Sequence, residues 1–480
     1  MATPLSLPHS GDAPGGRYAW LIVAVLLVMG AAGAGYGLAV GEIEALWVGL
    51  SLAACVAILI DYRVGALLLI LLLPVSATSL FPHSLMKITG LNPMNLLVGG
   101  TLAAYLVRGR LEHPAPLVPG PVAWLYIVPI MLAGLLGATH VEQTYAPFFE
   151  DEIVSFTNWR GYLRDEVVKP LLTVLAALLV GAAVAKARKP EPFVWALVIG
   201  VCALVFVMFG FIVASGIGLD ALASPSARRF FTDIGVHANT LGRVFITAYA
   251  LLLFAWWESK DSRTSLGLFA VLGILSLGIL LTFSRNAFLG FLVVNALFLM
   301  WKFNMKKLGL AVLGASVAAM LAPEALYRRI TQGWDENADA ISAGRIDGIW
   351  QPLLPETLKS PLWGNGLDSI LWSSPMNNGA MVLVAHPHNA YLEALLDMGL
   401  IGLALLLLFY WQVWKGFRAL GSNPYLTPVM RGFFQGACAG LVAFAVACMT
   451  GGSLRPHPEN ALLWIAIGMM YGLLARKPAR

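Results

Sequence analysis

Apolar runs of membrane-spanning length alternate with short polar turns along almost the whole chain. A hydrocarbon core of ~30 Å, at 1.5 Å per helical residue, needs ~20 apolar residues per crossing. This length predicts about fourteen spans, near 18–40, 45–60, 64–80, 92–107, 117–138, 169–185, 192–214, 239–257, 264–283, 287–304, 308–322, 391–413, 428–450 and 461–475. Several runs are short, so the sequence predicts an all-α polytopic membrane protein with about 12–14 transmembrane helices.

Basic residues in the turns set the orientation of these spans. If the N-terminus is cytoplasmic, every cytoplasmic turn carries at least one Lys or Arg, as the positive-inside rule requires. We expect both termini in the cytoplasm. The predicted organisation is a tail at 1–17, transmembrane helices within 18–322 with outer loops near 139–168 and 215–238, an outer segment at 323–390, transmembrane helices within 391–475 and a tail at 476–480.

Composition excludes several classes of protein. Of the 480 residues, 59% are hydrophobic and 12% are charged, whereas soluble domains are about one quarter charged. A soluble enzyme and a nucleic-acid-binding module are therefore excluded. The four cysteines lie in apolar runs without CxxC spacing, and no cluster of metal ligands is evident, so neither a disulfide framework nor a metal site is predicted.

The basic residues predicted to lie outside are almost all arginine. Arginine binds phosphate and carboxylate groups in a bidentate manner, which lysine does not. The set includes Arg164 and the pair Arg228-Arg229 in outer loops, and Arg243 near the start of a span. Asp165 next to Arg164 leaves a local ion pair as the stronger interpretation there, and Arg228-Arg229 has a solvated charge pair as its alternative.

The turn Ser284-Arg285-Asn286-Ala287 interrupts two apolar runs. An arginine at membrane depth is expensive and usually has a partner. One alternative is an interfacial side chain that snorkels to water. Because lysine would snorkel equally well, the choice of arginine between Ser and Asn favours an anion site.

The segment His386-Pro387-His388-Asn389 precedes the next apolar run. Pro387 keeps the chain extended, and Asn389 is suited to cap the helix that follows. His388 would then lie at the outer end of that helix, where a neutral imidazole can take a proton from a hydroxyl. The alternative is a histidine that only caps the helix or bonds a loop, and His386 is a possible substitute.

These features together resemble the O-antigen ligase and polymerase superfamily of bacterial membrane glycosyltransferases. The resemblance rests on Ser284-Arg285-Asn286-Ala287, on RIDGIWQPLLPETLKSPLWGNGLDSI at 345–370 and on HNAYLEALLDMGLIG at 388–402. It covers roughly residues 220–415. It implies a bacterial inner-membrane enzyme with its active site, and the loop 323–390, at the periplasmic face.

The resemblance also implies substrates and roles. The donor would be a glycan on undecaprenyl diphosphate, and the acceptor a glycan or glycolipid hydroxyl such as that of lipid A core. Transfer would be inverting, without metal or cofactor. His388 matches the family's base and Arg285 a diphosphate-binding arginine, whereas Arg229, or Arg228, matches an earlier loop arginine.

Two other functions remain open. A polysaccharide polymerase of the same superfamily would share every motif and differ only in its acceptor, another lipid-linked repeat. A transporter of lipid-linked glycans would also use cationic residues but needs no base at an outer helix end. No embedded chain of carboxylates is evident that would indicate an ion-coupled transporter.

Overall fold

A computed structural model describes residues 43–476 except 86, 87, 89, 110–115, 219, 220, 223–230, 232, 303–308 and 310–323. The predicted span 18–40 lies outside the described residues, as does 308–322 apart from residue 309. The chain divides into two compact units, one of Met1–Leu69 with Phe81–His113 and the other of Ile70–Leu80 with Pro114–Arg480.

The first unit contains α1 (Ile43–Ile60), most of α2 (Tyr62–Leu72) and α3 (Pro93–Ala104), which continues as a π-helical turn at Tyr105–Gly109. The Asn92 side chain caps α3 by accepting a hydrogen bond from the Asn95 amide, as expected at a helix N-terminus. Arg108 donates to the carbonyl of Ile60 at the end of α1 (3.1 Å), which neutralises a helix C-terminus.

The described part of the second unit holds nine longer helices. They are α4 (Gly120–Ala138), α5 (Trp159–Lys186), α6 (Glu191–Ser215), α7 (Ala238–Glu258), α8 (Ser262–Leu281), α9 (Arg285–Trp301), α10 (Ala390–Gly421), α11 (Pro428–Ala447) and α12 (Ala461–Leu474). Seven helices in the described part of the chain are long and apolar enough to cross a membrane, and the described residues form no β-strand. The all-α polytopic prediction is confirmed.

Helix α7 forms the core of this unit and is the most buried of the seven long helices. Gly432 and Gly436 of α11 pack directly on its main chain, where a Cβ would overlap the carbonyls of Phe254 and Ala250. Close approach over small residues is the usual way that membrane helices associate, because lipid supplies no hydrophobic driving force. Asn239 lies in the first turn of α7 and Arg243 in the second.

Short helices make up the described part of the outer segment. They are Glu324–Thr331, Ala338–Ser342, Ile346–Trp350, Gln351–Leu353, Leu354–Leu358, Ser369–Trp372 and Ser374–Asn377. Apolar residues recur at roughly helical spacing over 341–354, but the helical run is interrupted at Ala343 and Gly344, which both have positive φ. Glycines in the left-handed region end some of these turns, among them Gly364 and Gly366, because only glycine adopts that conformation without a steric penalty.

The outer segment repairs a break in α10. Gly399 has φ +65° and ψ −171°, so the helical hydrogen-bond ladder is interrupted there. Main-chain groups of residues 361–366 replace the lost bonds: Leu400 N donates to Pro361 O (2.8 Å), Ile401 N to Leu362 O (3.2 Å), Asn365 N to Leu396 O (2.8 Å) and Gly366 N to Asp397 O (3.0 Å). Non-helical backbone at membrane depth is tolerated where protein satisfies it in this way.

We expect Gly399→Ala to lower stability by about 2–5 kcal/mol, because alanine is strained at this φ and its Cβ would overlap the carbonyl of Leu362. Thermal unfolding of the purified protein in detergent measures the loss. Gly379→Ala is the matched control, since Gly379 has the same φ of +65° but open space around it. Equal effects of the two substitutions would contradict a role for the close approach.

Candidate functional site

A cavity of about 350 Å³ gathers three arginines against an apolar wall. We call it the arginine cavity. Arg285, Arg329 and Arg345 supply its charge, and the described lining includes no carboxylate. Its apolar wall is formed by Phe288, Leu289, Leu292, Ile330, Trp334 and Ile341. The combination of massed guanidinium groups and apolar surface suits a ligand that has both an anionic group and a hydrocarbon chain.

Ser284 orients the start of α9. Its hydroxyl accepts a hydrogen bond from the Ala287 amide (3.3 Å) and donates to the Asn239 side-chain oxygen (2.7 Å). This cap holds Arg285 at the first position of the helix. Arg285 also donates to the carbonyl of Gln332 (3.0 Å), which ties the helix to the outer segment.

Arg345 enters the same cavity from the outer segment. Its guanidinium donates to the carbonyl of Thr450 (2.6 Å), and its amide donates to the Ser342 hydroxyl (3.0 Å). Sequence reasoning did not select Arg345 or Arg329 as site residues. The sequence places both among the arginines predicted to lie outside, but it does not indicate which of those side chains lie close together.

A second cavity of about 350 Å³, which we call the histidine cavity, contains His386 and His388. Asn239, in the first turn of α7, lines both cavities. The remaining described lining is Glu166, His237, Thr240, Arg243, Asp368, Ala385, Glu393, Gly452, Ser453, Arg455, His457 and Glu459.

His388 adopts an unusual backbone conformation just before α10. Its φ is +53°, a region that a histidine rarely occupies and that often marks a functional position. Neighbouring bonds hold it there: Trp350 donates to the Pro387 carbonyl (2.8 Å), and Asn389 caps α10 by accepting from the Tyr391 and Leu392 amides. The Asn389 cap that the sequence predicts is present, and the rings of His386 and His388 lie 4.2 Å apart.

Arg455 is the centre of an ion network on one side of the histidine cavity. It pairs with Asp368 (2.5 Å), Glu393 (3.0 Å) and Glu166 (3.5 Å). Burial opposes its charge, but these carboxylates together raise the pKa of Arg455 well above its usual value. Glu393 and Asp397 of α10 are both buried. Arg455, the partner of Glu393, lies 62 residues away in sequence.

Asp368, Glu393 and Asp397 lie close enough for their oxygens to hold a cation. Each already has donors: Arg455 bonds the first two, and Asp397 accepts from the amides of Asp368 and Ser369 and from the Ser369 hydroxyl. A guanidinium therefore supplies the positive charge that this cluster needs. The geometry is that of an ion network linking α10, the outer segment and the loop before α12.

Arg243 and Glu459 form a second buried ion pair in the histidine cavity. The surrounding cavity walls desolvate His386 and His457 and so lower the pKa of both, and the charge of Arg243 contributes in the same direction. Both imidazoles are therefore predominantly neutral near pH 7. Neutral imidazoles and carboxylates present acceptors for hydroxyl groups, as a site for a polyol would.

The structure separates the residues that the sequence selected. Arg285 lies in the arginine cavity, whereas His388, His386 and Arg243 line the histidine cavity. Arg164 pairs with Asp165 (2.9 Å) and lines neither cavity, which agrees with the local ion pair considered above. Arg228 and Arg229 lie outside the described residues.

Breaking the Arg455 network should destabilise the protein. We expect Arg455→Met to lower stability by about 3–5 kcal/mol, because it leaves buried carboxylates without a counter-charge. Arg328→Met is the control: Arg328 and Glu324 are 3.7 Å apart and largely exposed, so the loss there should be about 0–1 kcal/mol. Unfolding midpoints of the two variants in detergent provide the comparison, and equal midpoints would contradict the network's role.

Comparison with known proteins gives two matches. Residues 268–407 match a family model described as O-antigen ligase. The chain is also 28% identical, over 257 residues, to an O-antigen ligase of Pseudomonas aeruginosa. That alignment covers 50% of this chain and 56% of the relative, so the chain spans about half the length of the curated protein it matches. The family match includes Arg285, Arg345 and His388.

Proposed function

We propose that this chain, a member of the O-antigen ligase superfamily, transfers a glycan from undecaprenyl diphosphate to a sugar hydroxyl at the periplasmic face of the bacterial inner membrane. The observation that carries the proposal is the pair of cavities that share Asn239 in their lining, one rich in arginine and the other containing His388. One suits a lipid diphosphate, and the other suits a hydroxyl acceptor with a base beside it.

The arginine cavity is proposed to hold the donor. Cleavage of the glycosidic bond leaves a diphosphate, whose charge Arg285, Arg329 and Arg345 would stabilise as it develops. Leu289 and Leu292 of α9 are about half exposed on the apolar wall, so the polyprenyl chain could leave along α9 into the bilayer. In this arrangement the arginines surround the charged diphosphate, and lipid surrounds the hydrocarbon chain.

The histidine cavity is proposed to hold the acceptor. His388 would accept the proton of the acceptor hydroxyl as that oxygen attacks the anomeric carbon from the face opposite the diphosphate, which inverts the anomeric configuration. Asn239, which lines both cavities, would orient the reacting groups, since Ser284 fixes its side chain from the donor side. The guanidinium groups supply the positive charge that the leaving diphosphate needs, and we propose that transfer requires no metal.

A deletion strain tests this function against the polymerase alternative. Loss of a ligase should cause long lipid-linked polymer to accumulate, whereas loss of a polymerase should cause single lipid-linked repeats to accumulate. Either outcome would agree with a glycosyltransferase of this superfamily. Normal lipid-linked glycans that fail to reach the periplasmic face would instead indicate a transporter and contradict the proposal.

A further inference from the structure

We propose that the histidine cavity selects acceptors by charge: it accepts a sugar that is neutral or carries an amino group, and it rejects one with a phosphate or carboxylate near the reacting hydroxyl. The inference rests on the proposed function, because it treats this cavity as the acceptor site. It goes further by naming the chemical class of acceptor that the cavity binds.

The two cavities differ sharply in charge. Three arginines and no carboxylate line the described part of the arginine cavity. In the histidine cavity the described lining has two arginines, Arg243 and Arg455, and four carboxylates, Glu166, Asp368, Glu393 and Glu459. If two of these carboxylates were protonated, the net charge of that lining would be zero, whereas the net charge of the arginine-cavity lining is +3. An anion is therefore favoured in one cavity and disfavoured in the other.

Both arginines of the histidine cavity already form ion pairs with carboxylates. Arg455 has side-chain partners at 2.5, 3.0 and 3.5 Å, and Arg243 is paired with Glu459. A phosphate on the acceptor would have to compete with these buried carboxylates for the guanidinium groups. Breaking such pairs without replacing every bond is costly, so the arginines would not serve as an anion site.

An uncharged sugar meets none of these penalties. Its hydroxyls can donate to carboxylate oxygens and to neutral imidazoles, which the lining supplies in excess. Glu166 is the most accessible of the four carboxylates, with 29% of its side chain exposed. Asp368 is the next most accessible, with 12% of its side chain exposed, and Arg455 keeps Glu393 and Glu166 as partners when the charge of Asp368 is removed.

Three monosaccharides of one ring type test the inference: glucose, glucosamine and glucose 6-phosphate. Their binding to the full chain in lipid nanodiscs is measured by saturation-transfer NMR, with excess pyrophosphate present to occupy the arginine cavity. We expect glucose and glucosamine to bind, and glucose 6-phosphate to bind at least about tenfold more weakly, the size of one repulsive charge contact near a protein surface.

The variant Asp368→Asn should raise glucose 6-phosphate binding several-fold relative to glucose and weaken glucosamine binding. Asparagine tolerates the φ of +58° at this position. Glu324→Gln is the matched control, because Glu324 is 83% exposed and lines neither cavity, so its binding ratios should equal those of the wild type. Equal binding of glucose and its phosphate by the wild type, an unchanged ratio in Asp368→Asn, or no binding of any of the three would overturn the inference. If the wild-type protein shows this charge selectivity in binding but transfers no glycan, only the proposed transferase activity would be overturned.

Discussion

Alanine at Arg285 should reduce glycan transfer by about 10²–10³-fold, the usual effect of removing one preorganised group that stabilises charge in a transition state. The guanidinium lies at the first position of α9, with its orientation fixed by the Ser284 cap and by the Gln332 carbonyl. Donor binding should weaken as well, because the same group would contact the diphosphate before reaction. Transfer is measured with purified protein and a lipid-linked donor.

Arg285→Lys should recover little of this activity, since an ammonium group does not reproduce bidentate phosphate binding. Arg164→Ala is the matched control: it also removes an arginine, but Arg164 pairs with Asp165 outside both cavities, so its activity should be near normal. Near-normal transfer by the Lys variant would mean that only net charge matters, and equal loss in Arg164→Ala would mean that the assay reports general damage.

Most of the helical architecture could be predicted from the sequence, because each membrane span is a local property of about twenty residues. Most described helices begin and end near the predicted runs. Exceptions are α2, which ends eight residues before its predicted span does, α10, which ends eight residues after, and α5, which starts at Trp159, ten residues before the predicted span. The early start reflects its amphipathic first turns, where Arg164, Asp165 and Glu166 interrupt the apolar run. Hydropathy alone therefore underestimated the length of this helix.

The break in α10 could not be predicted. Gly399 lies in a continuous apolar stretch, and the bonds that repair the helix come from the main chain of residues 361–366. Main-chain partners have no side-chain signature, so hydropathy shows an uninterrupted helix. Gly364-Asn365-Gly366 has the composition of a turn, but nothing in the sequence identifies α10 as its partner.

The candidate site was predictable where its signals are local. The Asn389 cap follows from residue type and position, and it is present. The grouping of distant residues was not predictable: Arg345 joins Arg285, and Arg455 joins Asp368 and Glu393. These contacts depend on how the outer segment folds back over the helices, which no spacing along the chain encodes.

The second large effect concerns His388. Replacing it should reduce transfer by about 10²–10⁴-fold, the usual contribution of a general base, while binding of the lipid-linked donor stays near normal. The donor site is a separate cavity, so loss of the imidazole should leave its arginines in place. This result would distinguish the role of His388 from that of Arg285, because removal of Arg285 should weaken both donor binding and transfer.

Because His388 has φ +53°, the substitution must not be confused with misfolding. His388→Asn is the better variant, since asparagine tolerates this conformation more readily than alanine. His386→Ala should be milder, because that residue lies on the loop side of Pro387, and His140→Ala, outside both cavities, is the control. If purified His388→Asn, with EDTA present, transfers glycan at close to the wild-type rate, the general-base role is wrong and the histidine serves only to shape the entry to α10.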